Sequence, residues 1–382
     1  MVEGLKNISY DKAREKYYAT FYYGKDDNGK PIKKVASYAT KEEAVTALQI
    51  FEGDRAKQDV VAPVNDTVGS WLVYWLEEII KPNRAETTAY GYEGIIKRYL
   101  IPNLGDVKLQ KLNPEMITKY YNQMMRKNHL SSNTVHKHHD LLKCALRAAV
   151  NQDKILRNPV DRVEPPAIVD TEKRFYNQEQ LAALMDVAAG DRLEIVILLA
   201  GYCGLRREEI VGLKWENVDM DKRTLSIAEV RTSAGSRIVT KQPKTKTSIR
   251  TEYLNDDLFD VFKRLRKEYA ENKLYFGNTF QDSGLVVSFP NGKPYRPNYI
   301  SELVTKFIDK NGFPPLHLHE LRHTFASIAN DMGIPLYNIG RALGHASTGV
   351  TSKVYTHLFD TDHEGTMTTV SDSINKFRKK AR

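Results

Sequence analysis

Residues 316–327 read LHLHELRHTFAS, and the same stretch continues through Leu343-Gly344-His345 to Tyr355. His319 and Arg322 are three residues apart, a spacing that places both side chains on one face of a helix. A guanidinium, two imidazoles and a phenol in one stretch indicate chemistry on an anionic phosphate ester, with tyrosine as the nucleophile. The rest of the chain has to supply a second arginine, a proton donor and a surface that grips DNA.

Length and composition set broad limits. At 382 residues, with 41% hydrophobic and 27% charged residues, the chain is long enough for two or three domains. The net charge of +9 is compatible with a polyanionic partner, but it is a weak signal on its own. Cys144 and Cys203 lie in apolar helical runs, which predicts buried free thiols in a cytosolic protein. Since no apolar run is long enough for a membrane span, and no signal peptide is evident, we predict an intracellular protein.

The N-terminal residues predict a small β unit followed by a helix. An aromatic strand over 17–23, a turn at 26–30 and a second strand near 33–38 form a hairpin. Thr40, with Glu43 three residues later, is the capping box of the helix that follows.

Basic and aromatic residues alternate in this β unit, where Lys33 and Lys34 accompany several tyrosines. That pattern suits a sheet laid against DNA. The alternative is a small solvated sheet whose lysines guard its edges.

The next region predicts an all-helical domain. After a linker over 52–66, helices are predicted from Thr67 and near 85–100, 113–127 and 131–150. The last helix carries a set of histidines and cations: His136, Lys137, His138, His139, Lys143 and Arg147. These histidines lack the cysteines and carboxylates of a metal site, so we predict a basic helix that faces DNA or solvent. Prolines between 157 and 173 mark the second domain boundary.

A third domain begins at Asn177, with helices predicted near 177–189 and 191–202. The glycines around 201–204 then allow a tight turn that places Arg206 at the head of a short helix. Glu209, one turn later, can pair with that guanidinium. The same spacing also occurs on many surface helices.

Three strands are predicted at 223–230, 236–241 and 248–254, followed by helices near 256–273 and 297–310. The turn between the last two strands contains Lys244 and Lys246. A turn lysine either points to solvent or reaches a phosphate as a point charge and proton donor.

With these motifs in this order, the chain resembles the tyrosine recombinases (integrases) over its whole length. The resemblance implies a multidomain α+β fold. Residues 1–60 are then a small three-stranded β arm-type DNA-binding domain with a helix, and 66–160 an all-α, SAM-like core-binding domain. Residues 173–382 are then a mainly α catalytic domain with a small antiparallel β-sheet and a C-terminal tail.

The resemblance also implies the roles of the site residues. Arg206 and Arg322 clamp the scissile phosphate, because guanidinium forks match phosphate oxygens. Tyr355 attacks phosphorus and forms a 3′-phosphotyrosyl bond. His319 is the general base or hydrogen-bond partner of the tyrosine, and His345 binds a non-bridging oxygen.

Two further roles complete this set. A lysine of the turn protonates the departing 5′-oxygen. Lys244 is assigned this role, and Lys246 is the alternative. Glu209 orients the guanidinium of Arg206. The DNA-binding residues predicted on the two N-terminal domains are Lys33, Lys34, Lys137, Lys143 and Arg147.

The predicted function is integration and excision of a mobile element, a conjugative transposon or a temperate phage, through a Holliday junction. No metal, ATP or other cofactor is expected, since the covalent bond conserves the phosphodiester energy and no carboxylate cluster lies near Arg322 in the sequence. The expected partners are double-stranded DNA at core and arm sites, three further copies of the chain, and an excisionase and a DNA-bending protein. The implied location is the bacterial cytoplasm, on the nucleoid when DNA is bound, with no membrane partner.

Three alternatives remain at this point. A Xer-like dimer resolvase and a type IB topoisomerase share the chemistry, but the N-terminal β domain disfavours both. A non-catalytic DNA-binding protein on the same scaffold is the third. In the tail, Val370, Ile374 and Phe377 form an apolar stripe, and we expect it to dock on a neighbouring protomer.

Overall fold

The computed structural model describes residues 6–25, 29–57, 60–169, 174–242 and 249–345. The chain divides into two compact units, Met1–Asp170 and Thr171–Arg382. The predictions for Lys244, Lys246, Tyr355 and the apolar stripe of the tail fall outside the described residues.

The first unit begins with a three-stranded antiparallel sheet in the order β1-β2-β3. The strands and the helix after them are β1 (Ile8–Asp11), β2 (Lys16–Lys25), β3 (Pro31–Tyr38) and α1 (Lys41–Ala56). Thr40 and Glu43 form the predicted capping box. Helix α1 continues through 52–56, where the sequence predicts a linker. The predicted three-stranded N-terminal sheet is therefore confirmed.

Side chains alternate between the two faces of this sheet, as the pleat requires. Ala19 and Phe21 of β2 are buried against Leu48 of α1, and the Phe21 and Phe51 rings meet edge to face at 5.1 Å. Residues 18, 20 and 22 point to the opposite face. One face is thus covered by α1, and the other carries Tyr18 and Tyr22.

A helical bundle with its own hydrophobic core forms the rest of the first unit. Its α-helices are α2 (Val68–Tyr74), α3 (Lys81–Asn83), α4 (Glu86–Ile95), α5 (Ile101–Leu104), α6 (Pro114–Arg126) and α7 (Ser132–Asn151). π-helical segments at Trp75–Ile80 and Ile96–Leu100 join α2 to α3 and α4 to α5. Trp71 is buried and donates from Nε1 to the Ala145 carbonyl at 2.9 Å, which fixes α2 against α7.

Two histidines of α7 lie in this core, so the prediction that they face solvent or DNA is wrong. The Tyr120 hydroxyl lies 2.8 Å from Nδ1 of His138, and the Tyr121 hydroxyl lies 3.1 Å from Nδ1 of His139. Both imidazoles are buried. Burial lowers the pKa of His138 to about 4 and also lowers the pKa of His139. The tyrosine hydroxyls satisfy Nδ1 of each imidazole, whereas Nε2 of His138 is buried with no hydrogen-bond partner among the described residues. The sequence pattern alone assigns both histidines to the surface.

The two cysteines differ in their surroundings. Cys203 is buried just after the helix Glu194–Tyr202, as predicted, and burial raises the pKa of its thiol to about 12. Cys144 is exposed on α7, so the prediction for it is wrong. It lies at the edge of the apolar face of the helix, next to Lys143. At this edge, a shift of one residue along the helix separates buried from exposed positions.

The second unit is mainly helical. Its α-helices are α8 (Gln178–Ala188), α9 (Glu194–Tyr202), α10 (Arg207–Ile210), α11 (Asp256–Phe276), α12 (Pro297–Lys310), α13 (Leu318–Asp331) and α14 (Leu336–Ala342). Every residue of α9 from Glu194 to Gly201 is buried, so this helix forms the centre of the unit. None of the described helices in either unit is both long and apolar enough to cross a bilayer.

The strands of this unit pair differently from the prediction. The observed strands are β4 (Val218–Asp219), β5 (Thr224–Ser226), β6 (Val230–Ala234), β7 (Arg237–Lys241) and β8 (Thr251–Tyr253). One sheet has the order β4-β5-β8, and β6 and β7 form a separate hairpin. The strand predicted over 223–230 is thus divided between two sheets. The predicted class, a mainly α domain with small antiparallel β-sheet structure, is nevertheless confirmed.

Candidate active site

The site begins at the turn after α9. Gly204 has a φ of +58°, in the region that favours glycine. A Cβ on this residue would lie 2.7 Å from Cδ2 of Leu343 and 2.9 Å from Cδ1 of Phe325. The turn therefore has no room for a side chain at residue 204. It places Arg206 at the N-cap of α10.

Arg206 is held by Glu209 at both its main chain and its side chain. Its backbone N–H donates to Oε2 at 2.8 Å, and Nη1 donates to Oε1 at 2.8 Å. Glu209 is buried, whereas 30% of the Arg206 side chain remains exposed. The guanidinium is thus oriented by Glu209 on one side and exposed on the other, where it can meet an anion.

Arg250 also binds Glu209, and sequence reasoning missed it. Its Nη1 and Nη2 each lie 3.2 Å from one oxygen of the Glu209 carboxylate, and its Nε donates to Glu252 at 2.6 Å. Arg250 and Glu209 are 41 residues apart, so no local spacing reveals the contact. The one available signal is its position just after the lysine-bearing segment 243–248.

The charges of this cluster shift one another's pKa values. Burial alone would raise the pKa of Glu209, but Arg250 and Arg206 outweigh it, and the net shift is downward. Burial raises the pKa of Glu252, and Arg250 opposes that shift only in part. Glu209 is therefore an anion at neutral pH, enclosed between two guanidinium groups.

Arg322 lies on α13 and is almost fully buried, with 2% of its surface exposed. Its Nη1 donates to the carbonyl of Gly204 at 2.6 Å, and its Nη2 donates to the carbonyl of Leu343 at 2.6 Å. One guanidinium thus joins α13, the turn before Arg206 and the turn before His345.

Two histidines stand beside these arginines. Desolvation and the charge of Arg322 lower the pKa of His319, although the residue as a whole is exposed to solvent. Burial, together with Arg322 and Arg206, lowers the pKa of His345 to about 4. Its backbone N–H donates to Gly340 at 2.9 Å. Both imidazoles are therefore neutral at pH 7, and a neutral imidazole can accept a proton from a substrate or nucleophile.

The structure brings five of the predicted residues together: Arg206, Glu209, His319, Arg322 and His345. Two guanidiniums and two neutral imidazoles near the Leu343–Gly344 turn are groups that can bind a phosphate and stabilise charge that develops on it. Within the described ranges, no group of three or more His, Cys, Asp and Glu side chains is placed to hold a metal ion.

The predicted DNA-contact residues lie elsewhere, on the first unit. Lys33 and Lys34 are exposed on β3, and Lys137 is exposed on α7. Lys143 and Arg147 are also exposed, but both approach Asp161, at 3.6 Å and 2.8 Å.

Two family models match the sequence. The model described as Phage integrase family matches residues 174–362, and the model described as Phage integrase, N-terminal SAM-like domain, matches residues 67–125. The chain belongs to the phage integrase family. It is an integrase of the tyrosine recombinase class, of the phage and conjugative-transposon type.

Relatives of this integrase match it over most of their length. A protein named tyrosine recombinase XerC-like, from Caldanaerobacter subterraneus subsp. tengcongensis, is 27% identical, with 96% of this chain and 99% of the relative covered. An integrase of Streptomyces ambofaciens is 29% identical, with 92% of each chain covered.

Solved structures share the fold of the integrase. The Tn1549 transposon integrase in complex with transposon right end DNA has a TM-score of 0.65 at 20% identity, covering 76% of this chain and 94% of that chain. A lambda integrase tetramer bound to a Holliday junction has a TM-score of 0.55 at 15% identity, covering 91% of this chain and 97% of that chain.

Proposed function

We propose that this integrase breaks and rejoins duplex DNA through a 3′-phosphotyrosyl bond to Tyr355. The observation that carries the proposal is the meeting of Arg206 and Arg322 beside two neutral imidazoles. Arg206 Nη2 lies 3.5 Å from the Gly344 carbonyl, and Arg322 donates to the next carbonyl back, that of Leu343. The two guanidiniums therefore border the same turn, where a phosphate between them would meet both charges.

Each residue then has a chemical role. Arg206 and Arg322 bind the non-bridging oxygens and stabilise the charge of the pentavalent transition state. His319 accepts the proton of the Tyr355 hydroxyl as its oxygen attacks phosphorus, and His345 donates a hydrogen bond to a phosphate oxygen. Lys244, or Lys246 in its place, gives a proton to the departing 5′-oxygen. Because the phosphotyrosyl bond keeps the phosphodiester energy, rejoining requires neither ATP nor a metal.

The three predicted domains divide the DNA between them in this proposal. Residues 1–60 bind arm sites through the β sheet, 66–160 bind the core site, and 173–382 carry the chemistry and the tail. The exposure of Lys33, Lys34 and Lys137 supports this division. Four copies acting on a Holliday junction are part of the proposal, supported by the lambda integrase tetramer described above.

The biological reaction that we propose is integration and excision of a mobile element in a bacterial cytoplasm, assisted by an excisionase and a DNA-bending protein. A Xer-like resolvase stays the second candidate, since the alignment with the XerC-like relative covers 96% of this chain. The two are distinguished by substrate: an integrase recombines the element's joined ends with a chromosomal target, and a resolvase recombines identical dimer sites.

The test is a suicide duplex of the element's joined ends, incubated with the protein in EDTA and analysed for a covalent protein–DNA band. We expect the band with wild type and with Tyr337→Phe, a control at an exposed tyrosine of α14, and no band with Tyr355→Phe. A band that requires magnesium, or one that survives Tyr355→Phe, would contradict the mechanism.

A further inference from the structure

We propose that Arg250 is a positioning residue of the recombination reaction, which holds Glu209 and, through it, Arg206 in the geometry that binds phosphate. The inference rests on the proposed role of Arg206. It concerns a residue that the sequence motifs of the site do not include.

The first argument is geometric. Arg250 meets both oxygens of Glu209 with two parallel N–H donors, each at 3.2 Å. A bidentate contact of this kind fixes the plane of the carboxylate as well as its position. Glu209 in turn contacts Arg206 at its backbone and at Nη1, both at 2.8 Å. The orientation of the Arg206 guanidinium is thus set by a carboxylate whose own orientation is set by Arg250.

The second argument concerns charge. A buried glutamate paired with Arg206 alone would neutralise the cation that has to attract the phosphate, and it would also repel the phosphate. Arg250 adds a second positive charge to the same carboxylate, so the charge of Glu209 is shared between two guanidiniums, and Glu252 in turn balances Arg250. The Arg250 side chain is only 9% exposed, and Glu252, at 2.6 Å from its Nε, holds its far side. Arg250 therefore faces the carboxylates and contributes its charge without being placed to contact DNA.

The third argument is the place of Arg250 in the chain. Its backbone carbonyl accepts from the N–H of Ile227 at 2.9 Å, which extends the pairing of β5 with β8 by one residue. The lysine-bearing segment 243–248 ends two residues earlier. Arg250 thus has two connections: its side chain reaches Glu209, and its main chain is hydrogen-bonded into the sheet beside β5.

The experiment compares Arg250→Met and Arg250→Lys in the covalent-complex assay, with Arg264→Met as the matched control. Arg264 binds Glu194, another buried glutamate of the same unit, at the opposite end of α9 from the turn that leads to Arg206. We expect Arg250→Met to slow cleavage about 100-fold, because a small misplacement of a phosphate ligand has effects of that size. Arg250→Lys, with one charge but no fork, should slow it about tenfold. Arg264→Met should cleave at the wild-type rate, and DNA affinity should be unchanged in all three.

A double-mutant cycle separates positioning from general destabilisation. In a Glu209→Gln background, Arg250→Met should slow cleavage much less than in wild type, because the residue through which it acts is already altered. Melting temperatures identify a variant that unfolds; if Arg250→Met does so, Arg250→Lys carries the comparison.

Two results would overturn the inference. One is cleavage by both Arg250 variants at the rate of Arg264→Met, and the other is full additivity with Glu209→Gln. Failure of the proposed function is a separate result, since wild type would then form no covalent complex.

Discussion

Arg322 and Leu343 are joined by a hydrogen bond of 2.6 Å, from Nη2 of the arginine to the main-chain carbonyl of the leucine. This bond ties α13 to the turn that presents His345, and its counterpart from Nη1 ties α13 to Gly204. The buried guanidinium is therefore a proposed phosphate ligand, and it also connects the turn at Gly204 to the turn at Leu343.

Arg322→Lys is expected to weaken the site and the fold together. An ammonium on a flexible stem cannot reproduce the planar fork that spans two carbonyls. We expect the second unit to lose about 2 kcal/mol of stability, the scale of a hydrogen bond to a charged group, and cleavage to fall about 100-fold. Thermal unfolding and the covalent-complex assay measure the two effects. Arg341→Lys, at an exposed arginine of α14, is the control and should change neither.

His138 should make the helical bundle sensitive to acid. Its pKa is about 4 in the folded protein and 6.5 when unperturbed, so between these values the unfolded state binds more protons. Its contribution is fully present above pH 6.5 and is lost as pH falls towards 4, by about 3 kcal/mol in total. The protection factors of the α6 and α7 amides, which correct for the pH dependence of intrinsic exchange, should therefore fall over this range, and less so in His138→Gln.

His129 provides the control for this experiment, because it is exposed in the loop between α6 and α7. His129→Asn should leave the pH dependence unchanged, since asparagine tolerates the φ of +51° at this position. Protection factors in α6 and α7 that stayed constant from pH 7 to pH 4 in wild type would show that the buried histidine does not oppose protonation.

The two thiols should react at very different rates. Cys144 is exposed, whereas Cys203 is buried and burial raises its pKa to about 12. Because the thiolate is the reactive form, we expect one equivalent of a thiol reagent to be consumed by the native protein and the second only in denaturant. Mass spectrometry should locate the native label on Cys144. Equal labelling of both cysteines in the native protein would contradict the burial of Cys203.

Lys33 and Lys34 should differ in DNA binding, although both are exposed. Residues directly opposite on paired strands share a face, and Lys33 pairs with Tyr22 on the open face, whereas Lys34 pairs with Phe21 on the face that α1 covers. Lys33→Ala should therefore reduce the salt dependence of arm-site binding by about one phosphate contact.

Lys34→Ala serves as the matched control and should have the smaller effect, measured by binding titrations at several salt concentrations. The reverse order would mean that DNA approaches the sheet from another side than its open face.

The parts of the site that the sequence predicts are those set by local spacing. Arg206 with Glu209, and His319 with Arg322, are separated by three residues on helices, so their proximity follows from helical geometry. Arg250 could not be predicted in this way, because its contact with Glu209 depends on how β8 is placed beside α10. The strand predicted over 223–230 failed for a related reason: residues of similar β propensity divide between two sheets according to pairing partners distant in sequence.

The histidines of α7 show a second limit. Polarity placed His138 and His139 on a surface, yet each is buried because a tyrosine hydroxyl from α6 meets its Nδ1. The partners lie 18 residues away, on a helix whose rotation relative to α7 is not encoded in the α7 sequence. Hydrophobic periodicity identifies helices well, but it assigns polar residues inside a core to the wrong side.

Gly204 has a consequence for anyone who alters this integrase by directed evolution. A side chain there would displace the side chains of Leu343 and Phe325, and Leu343 is also the residue whose carbonyl accepts from Arg322. Position 204 should therefore be kept as glycine in any mutant library. Gly190 has a similar φ of +77°, but no atom of the described residues lies within 4 Å of the position of its absent Cβ, so it would accept asparagine. Because the turn that presents the first arginine also supports the second, substitutions meant to change target preference should leave this turn intact.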